Sequence, residues 1–154
     1  MYDSILVATD GSDGAADATD HAVELAGRFD VPLYGVAVLE TRTEYDNAIV
    51  DPEEVERRQR ERAEDALSSL EAAATDANLS VETVIRSGVP HEQILAVAAD
   101  HDVGVIVVGA RGRSSLKRVL LGSTVDGVVR LADRPVLVVS DESSQSATED
   151  KSFR

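Results

Sequence analysis

The 154-residue chain suits one domain with a core that needs no covalent staple, and with no cysteine it has neither disulfides nor thiolate metal sites. Its 29 acidic residues against 15 basic ones give a net charge of −14, which argues against nonspecific binding to nucleic acid or to an anionic membrane. No apolar run is long enough to span a bilayer and no signal peptide precedes Met1-Tyr2-Asp3, so the expectation is a soluble, cytoplasmic protein.

The type of charge is uneven. Aspartates outnumber glutamates, and Lys117 and Lys151 are the only lysines. That balance suits a halophilic protein in a high-salt cytoplasm, where screening shortens the reach of self-repulsion. The alternative is an acidic mesophilic protein kept soluble by charge. The three histidines, His21, His91 and His101, are expected on separate helices and show no ligand spacing.

Ser4 to Thr9 is a short apolar run that reads as a strand buried on both faces. Asp10-Gly11-Ser12 ends it, with Ser12 placed to cap a helix that carries Ala18, Ala22, Leu25, Ala26 and Phe29 on one stripe. After Val31-Pro32, Leu33 to Leu39 is a second strand. Glu40 to Val50 has no periodicity and reads as a loop.

Asp51-Pro-Glu-Glu54 is a strong helix start: Asp51 caps, Pro52 suits the first turn, and Glu54 can close a capping-box-like pair. The helix runs to about Ala77. Its early turns offer ion pairs Glu53/Arg57, Glu54/Arg58 and Glu56/Arg60, so its arginine run reads as a solvated face. Its later turns present Ala63, Ala66, Leu67, Leu70, Ala73 and Ala77 to a core.

Ser80 to Arg86 alternates apolar with polar residues, as an edge strand does. Gly88 and Pro90 punctuate, and Pro90 opens a helix carrying Ile94, Leu95, Val97 and Ala98. Gly104 to Val108 is the most apolar strand and should be central. Gly109-Ala-Arg-Gly112 follows, then nine residues, then Gly122-Ser123-Thr124 and a helical pattern from Val125 to Ala132. Pro135 leads into a last strand, Val136 to Val139, whose proline fits a sheet edge. Residues 141–154 are acidic and serine-rich, and a mobile tail is expected behind a domain of residues 1–140.

Strands alternating with helices predict an α/β fold: one doubly wound, parallel, five-stranded sheet with helices on both faces. With strands numbered along the chain, the two central-looking and two edge-looking strands give the order 3-2-1-4-5. Ligands of such sheets bind beyond the strand C-termini where the winding reverses, here between strands 1 and 4. Asp10 and the glycine-punctuated stretch from Gly109 converge there.

A helix N-terminus presents free N–H groups, and glycines let a chain approach an anion closely. Gly112, Arg113, Gly122, Ser123 and Thr124 are therefore candidate phosphate holders. Asp10 could accept hydrogen bonds from a ribose or simply cap its own turn. Val38 could offer backbone groups to an adenine edge or be a plain core valine. The spacing is neither that of a P-loop nor that of the dinucleotide fingerprint, and two turn glycines with an ordinary Ser/Thr cap remain the competing reading.

Ile5-Leu-Val-Ala-Thr-Asp-Gly-Ser12, Ser87-Gly-Val-Pro-His91 and above all Gly109-x2-Gly112-x9-Gly122-Ser123 resemble the universal stress protein family over about residues 2 to 140. The last stretch is similar to the family's ATP-binding pattern G-x2-G-x9-G-S/T, which one non-binding branch lacks. The resemblance implies ATP held at Ala8, Thr9, Asp10, Val38, Gly109, Gly112, Arg113, Gly122, Ser123 and Thr124. It also implies a homodimer formed through antiparallel pairing of Val136 to Val139. Mg²⁺ or Mn²⁺ on the phosphates would find no dedicated carboxylate cluster.

The leading expectation is thus a regulatory ATP-binding protein of the stress response. A slow ATP hydrolase or phosphotransferase would need a general base, and none stands out. A dimeric scaffold that binds no nucleotide is the third reading. A phospho-receiver domain would want an acidic cluster at the end of strand 1, where Asp10 stands alone.

Overall fold

The computed structural model describes residues 2–40, 51–111 and 121–140. The elements run β1 (Ile5–Ala8), α1 (Asp13–Phe29), β2 (Leu33–Glu40), α2 (Pro52–Asp76), β3 (Val81–Gly88), α3 (Pro90–His101), β4 (Val105–Gly109), α4 (Ser123–Leu131) and β5 (Val136–Val139). All five strands are parallel, in the order β3-β2-β1-β4-β5. The expected tail and most of the expected loop after β2 lie outside the described residues.

The sheet separates two apolar layers. Side chains alternate along each strand, so Ile5 and Val7 of β1 join α1 and α2, while Leu6 joins α3 and α4. The α1/α2 layer closes over Ala18, Ala22 and Ala26 from one helix and Ala63, Leu67, Leu70 and Ala74 from the other. Gly35 in β2 lies directly beneath Leu70, whose Cδ2 occupies the space a Cβ would take. The α3/α4 layer packs Ile94, Val97 and Ala98 with Val125 and Val128.

Several boundaries differ from expectation for identifiable reasons. Glu40 belongs to β2 because β3 extends to Gly88 and pairs with it. Ala77 is exposed and Ala74 takes the core position, because α2 stops at Asp76 and Asn78 turns left-handed (φ 59°). Phe29 is half exposed and meets Tyr2 edge-on instead of entering the core. His91 and His101 do not occupy separate helices; both lie on α3, at opposite ends.

One anchor has no sequence signature. The Arg134 guanidinium, 13% exposed, donates from Nη1 to the carbonyls of Ala98 (3.0 Å) and Val103 (2.9 Å). It thereby satisfies acceptors at the end of α3 and fixes the approach to β5.

Candidate functional site

The winding reverses between β1 and β4, which are hydrogen-bonded neighbours with Val7 opposite Val107. Both strands therefore end at nearly the same level, and α1 leaves β1 toward one face while α4 lies on the other. Gly109 ends β4. The Gly122 N–H donates to the Ala110 carbonyl (3.0 Å), which returns the chain to the strand end just as α4 begins. Gly109, Ala110, Gly122 and Ser123 are thus gathered beside the β1 turn.

The start of α4 has a definite donor inventory. Its first i to i−4 bond runs from the Asp126 N–H to the Gly122 carbonyl (2.9 Å). The N–H groups of Ser123, Thr124 and Val125 precede that bond, as the leading N–H groups of any helix do. Gly122 holds the N-cap position and brings no side-chain cap. Ser123 is the first residue of the helix rather than its cap, so the ordinary Ser/Thr cap is not what this stretch encodes. Ser123 is exposed and Thr124 half-buried.

At the end of β1, the side chains fold the turn. Thr9 is 8% exposed; its N–H donates to the Val36 carbonyl (3.0 Å) and its Oγ1 accepts from the Gly11 N–H (3.2 Å). Asp10 Oδ1 accepts from the Ser12 N–H (2.9 Å), an Asx turn that carries the chain through Gly11 at φ 80°. Ser12 Oγ then accepts from the Ala15 N–H (3.2 Å) and caps α1. Asp10 is exposed, so it presents its carboxylate at the rim while holding this turn.

Ala8 and Val38 are half-buried against the α3/α4 layer. β1 ends where Ala8 pairs with Val36, so Val38 stands two residues beyond it, where β2 continues beside β3 and no longer beside β1. Ala8, Thr9, Asp10, Val38, Gly109, Gly122, Ser123 and Thr124 therefore all lie at the C-terminal edge of the sheet. Gly112 and Arg113 lie outside the described residues.

One participant was not foreseen. A Cβ on Gly14 would sit 2.6 Å from the Arg111 carbonyl oxygen, and one on Gly109 would sit 2.7 Å from the Gly14 carbonyl oxygen. The first turn of α1 and the end of β4 are in backbone contact through this glycine pair. Gly109 thus has a packing duty in addition to any ligand role. The signal was a glycine in the first turn of a helix, where glycine is a poor helix former.

A cleft of about 370 Å³ opens between α1 and α2, lined by Thr9, Gly11, Ser12, Asp20, Arg62 and Asp65 among others. It reaches the β1 turn from the side away from α4 and includes no residue of β4 or α4. Among the described residues, no three acidic or histidine side chains come together as a metal site, and no helix is long and apolar enough to cross a membrane.

Comparisons with known proteins agree with this architecture. Residues 1–140 match the family model described as the universal stress protein family. The chain is 35% identical over 147 residues to universal stress protein YxiE of Bacillus subtilis, covering 90% of this chain and 99% of that one. Universal stress protein UspA from Lactobacillus plantarum has a solved structure that superposes with a TM-score of 0.79 at 33% identity, covering 90% of this chain and 97% of the other. A universal stress protein solved in complex with cAMP superposes with a TM-score of 0.70 at 25% identity, covering 91% and 98%.

Proposed function

This chain belongs to the universal stress protein family, and we propose that it is a regulatory, cytoplasmic ATP-binding member of it. The observation that carries the reading is the start of α4. Three leading N–H groups with no side-chain cap sit at the switch point of the sheet, on the same C-terminal edge as the exposed Asp10. A polyphosphate suits such a place because the donors are preoriented and carry the positive end of the helix dipole. Gly122, Ser123 and Thr124 would hold phosphate, with Gly112 and Arg113 of the intervening stretch; Asp10 would take the ribose, and Ala8, Thr9, Val38 and Gly109 would frame the base and sugar. The cAMP complex of a structural relative supports a nucleotide as the ligand class.

Calorimetry on nucleotide-stripped protein tests this, with ATP, ADP, AMP and cAMP as separate titrants. Saturable heat with ATP is expected, and Ser123→Ala should weaken it; heat no larger than a buffer blank for every nucleotide removes the reading. Mg²⁺ or Mn²⁺ would accompany the phosphates, and repeating the titration with EDTA measures its share. Labelled ATP separates binding from hydrolysis: phosphate release is expected at the background rate.

We also propose a homodimer through β5. It is an edge strand with Leu137 38% exposed, and α4, which packs against the other face of the sheet, exposes Val129 and Leu131. Light scattering should give twice the chain mass, and Leu137→Lys should halve it. The acidic surface suits a halophilic protein, whose melting temperature should rise with KCl; a flat curve would set that aside.

A further inference from the structure

The stretch Ser87-Gly-Val-Pro-His91 has so far been given no role at the site. It makes the turn from β3 into α3. Gly88 sits at φ 144°, and a Cβ there would meet the Gln93 side chain at 2.9 Å. Pro90 opens α3, so His91 falls in its first turn, at the sheet edge where α4 also begins.

His91 rests on the backbone of α4. A Cβ on Gly127 would lie 2.6 Å from His91 Cγ, 2.9 Å from its Cβ and 3.0 Å from its Cδ2. The identity of these atoms matters. Cβ and Cγ are fixed close to the α3 main chain, and no rotamer withdraws the Cβ. The imidazole is therefore a stop against which α4 is seated, and only glycine at 127 permits the approach. Glycine inside a helix costs about 1 kcal/mol relative to alanine, and here the close contact is what it allows.

Gly127 is four residues from Ser123, about one turn below the leading N–H groups of α4. α4 has nine residues, too few for its start to move independently of its middle. From this contact we infer that His91, seated on Gly127, is a positioning residue: it sets where the α4 N-terminus stands relative to the ends of β1 and β4, and so tunes nucleotide affinity. The inference rests on the nucleotide reading above.

The test is a steric rescue. Gly127→Ala forces a methyl group against His91 and should displace α4, weakening ATP binding about tenfold. The double variant His91→Gly/Gly127→Ala removes the Cβ as well as the ring, makes room for that methyl and should recover affinity to within about threefold of wild type. His91→Phe keeps the ring atoms that touch α4 and should bind as wild type does. His91→Ala alone, which overpacks nothing and should fold even if Gly127→Ala does not, should bind ATP about threefold more weakly because the stop is gone.

Affinity is measured per folded molecule, with urea unfolding of nucleotide-free protein run alongside. A contact that serves the fold alone would move the unfolding midpoint and leave affinity unchanged. Wild-type affinity in both Gly127→Ala and His91→Ala overturns the inference, as does a double variant no better than Gly127→Ala. A wild-type protein that binds no nucleotide removes the nucleotide reading and this one with it.

Discussion

On one face of the sheet, α1 and α2 begin under side-chain caps: Ser12 Oγ accepts from the Ala15 N–H, and Asp51 Oδ1 from the Glu53 N–H. On the other, α3 and α4 begin at Val89 and Gly122 with no side-chain cap. The two uncapped starts are themselves unequal. Pro90 removes one N–H from the first turn of α3, whereas Ser123, Thr124 and Val125 keep all of theirs. A side-chain cap takes up one of the leading N–H groups that an anion would otherwise meet. Under the function proposed above this is a division of labour: the α1/α2 layer supplies closure, and the α4 end of the other layer would keep its donors for a ligand.

Closure is tested at the centre of the α1/α2 layer. Leu70 is fully buried over Gly35, and Leu70→Ala should lower the unfolding free energy by about 2–5 kcal/mol. Urea unfolding measures it. ATP affinity of the folded fraction should stay at the wild-type value; a fall would mean that the α2 side also shapes the site.

Next comes the place where the two sides touch. In Gly109→Ala the new methyl group would meet backbone atoms of Gly14, which no rotamer change relieves. A loss of about 1–3 kcal/mol in unfolding free energy is expected, together with weaker ATP binding, because the first turn of α1 and the end of β4 must part. Wild-type stability in this variant would mean that the glycine contact yields easily.

Two serines at helix starts then sharpen the contrast. Ser12→Ala removes a cap and should cost about 1 kcal/mol of stability. Ser123→Ala removes no cap and should change stability by less than about 0.5 kcal/mol while weakening ATP binding. Chemical denaturation and calorimetry on the same preparations separate the two. The opposite pattern would invert the assignment of roles.

The strand order was legible because burial leaves marks along the chain: β1 and β4 are continuous apolar runs, β3 alternates, and Pro135 precedes an edge. Caps were legible too, since Ser12 and Asp51 act on residues two or three positions away. That Asp10 and Gly122 stand at the same C-terminal edge of the sheet could be read from topology alone. The reasons for Gly14 and Gly127 were not legible, because a glycine needed for close approach is explained by what comes near it in space, Arg111 in one case and His91 in the other. Arg134 was missed for the same reason: its acceptors, Ala98 and Val103, are distant in sequence. The ion pairs on α2 were only partly right. Glu54 reaches both Arg57 and Arg58, and Arg57 also reaches Glu61, since a long side chain on a helix chooses between neighbours three and four residues away.

That α2 cluster gives the smallest effect. The Glu54 carboxylate accepts from Arg57 at 2.6 Å, and this hydrogen bond, reinforced by the Arg57 charge, holds its pKa below the usual glutamate value. A carboxyl group whose pKa is lower folded than unfolded adds stability above the unfolded value and loses it as pH falls through the folded one. Glu54→Gln should therefore be slightly less stable than wild type at neutral pH, and the gap should close on acidification below the ordinary carboxylate range. Both partners are exposed to solvent, so added salt should shrink the gap as well. Glu54 lies in the first turn of α2, where a negative charge also meets the helix dipole favourably; that share follows the same titration. ATP affinity should be indifferent to the substitution. Any change there would extend the ligand's reach to the start of α2 and redraw the boundary between the closing layer and the binding edge.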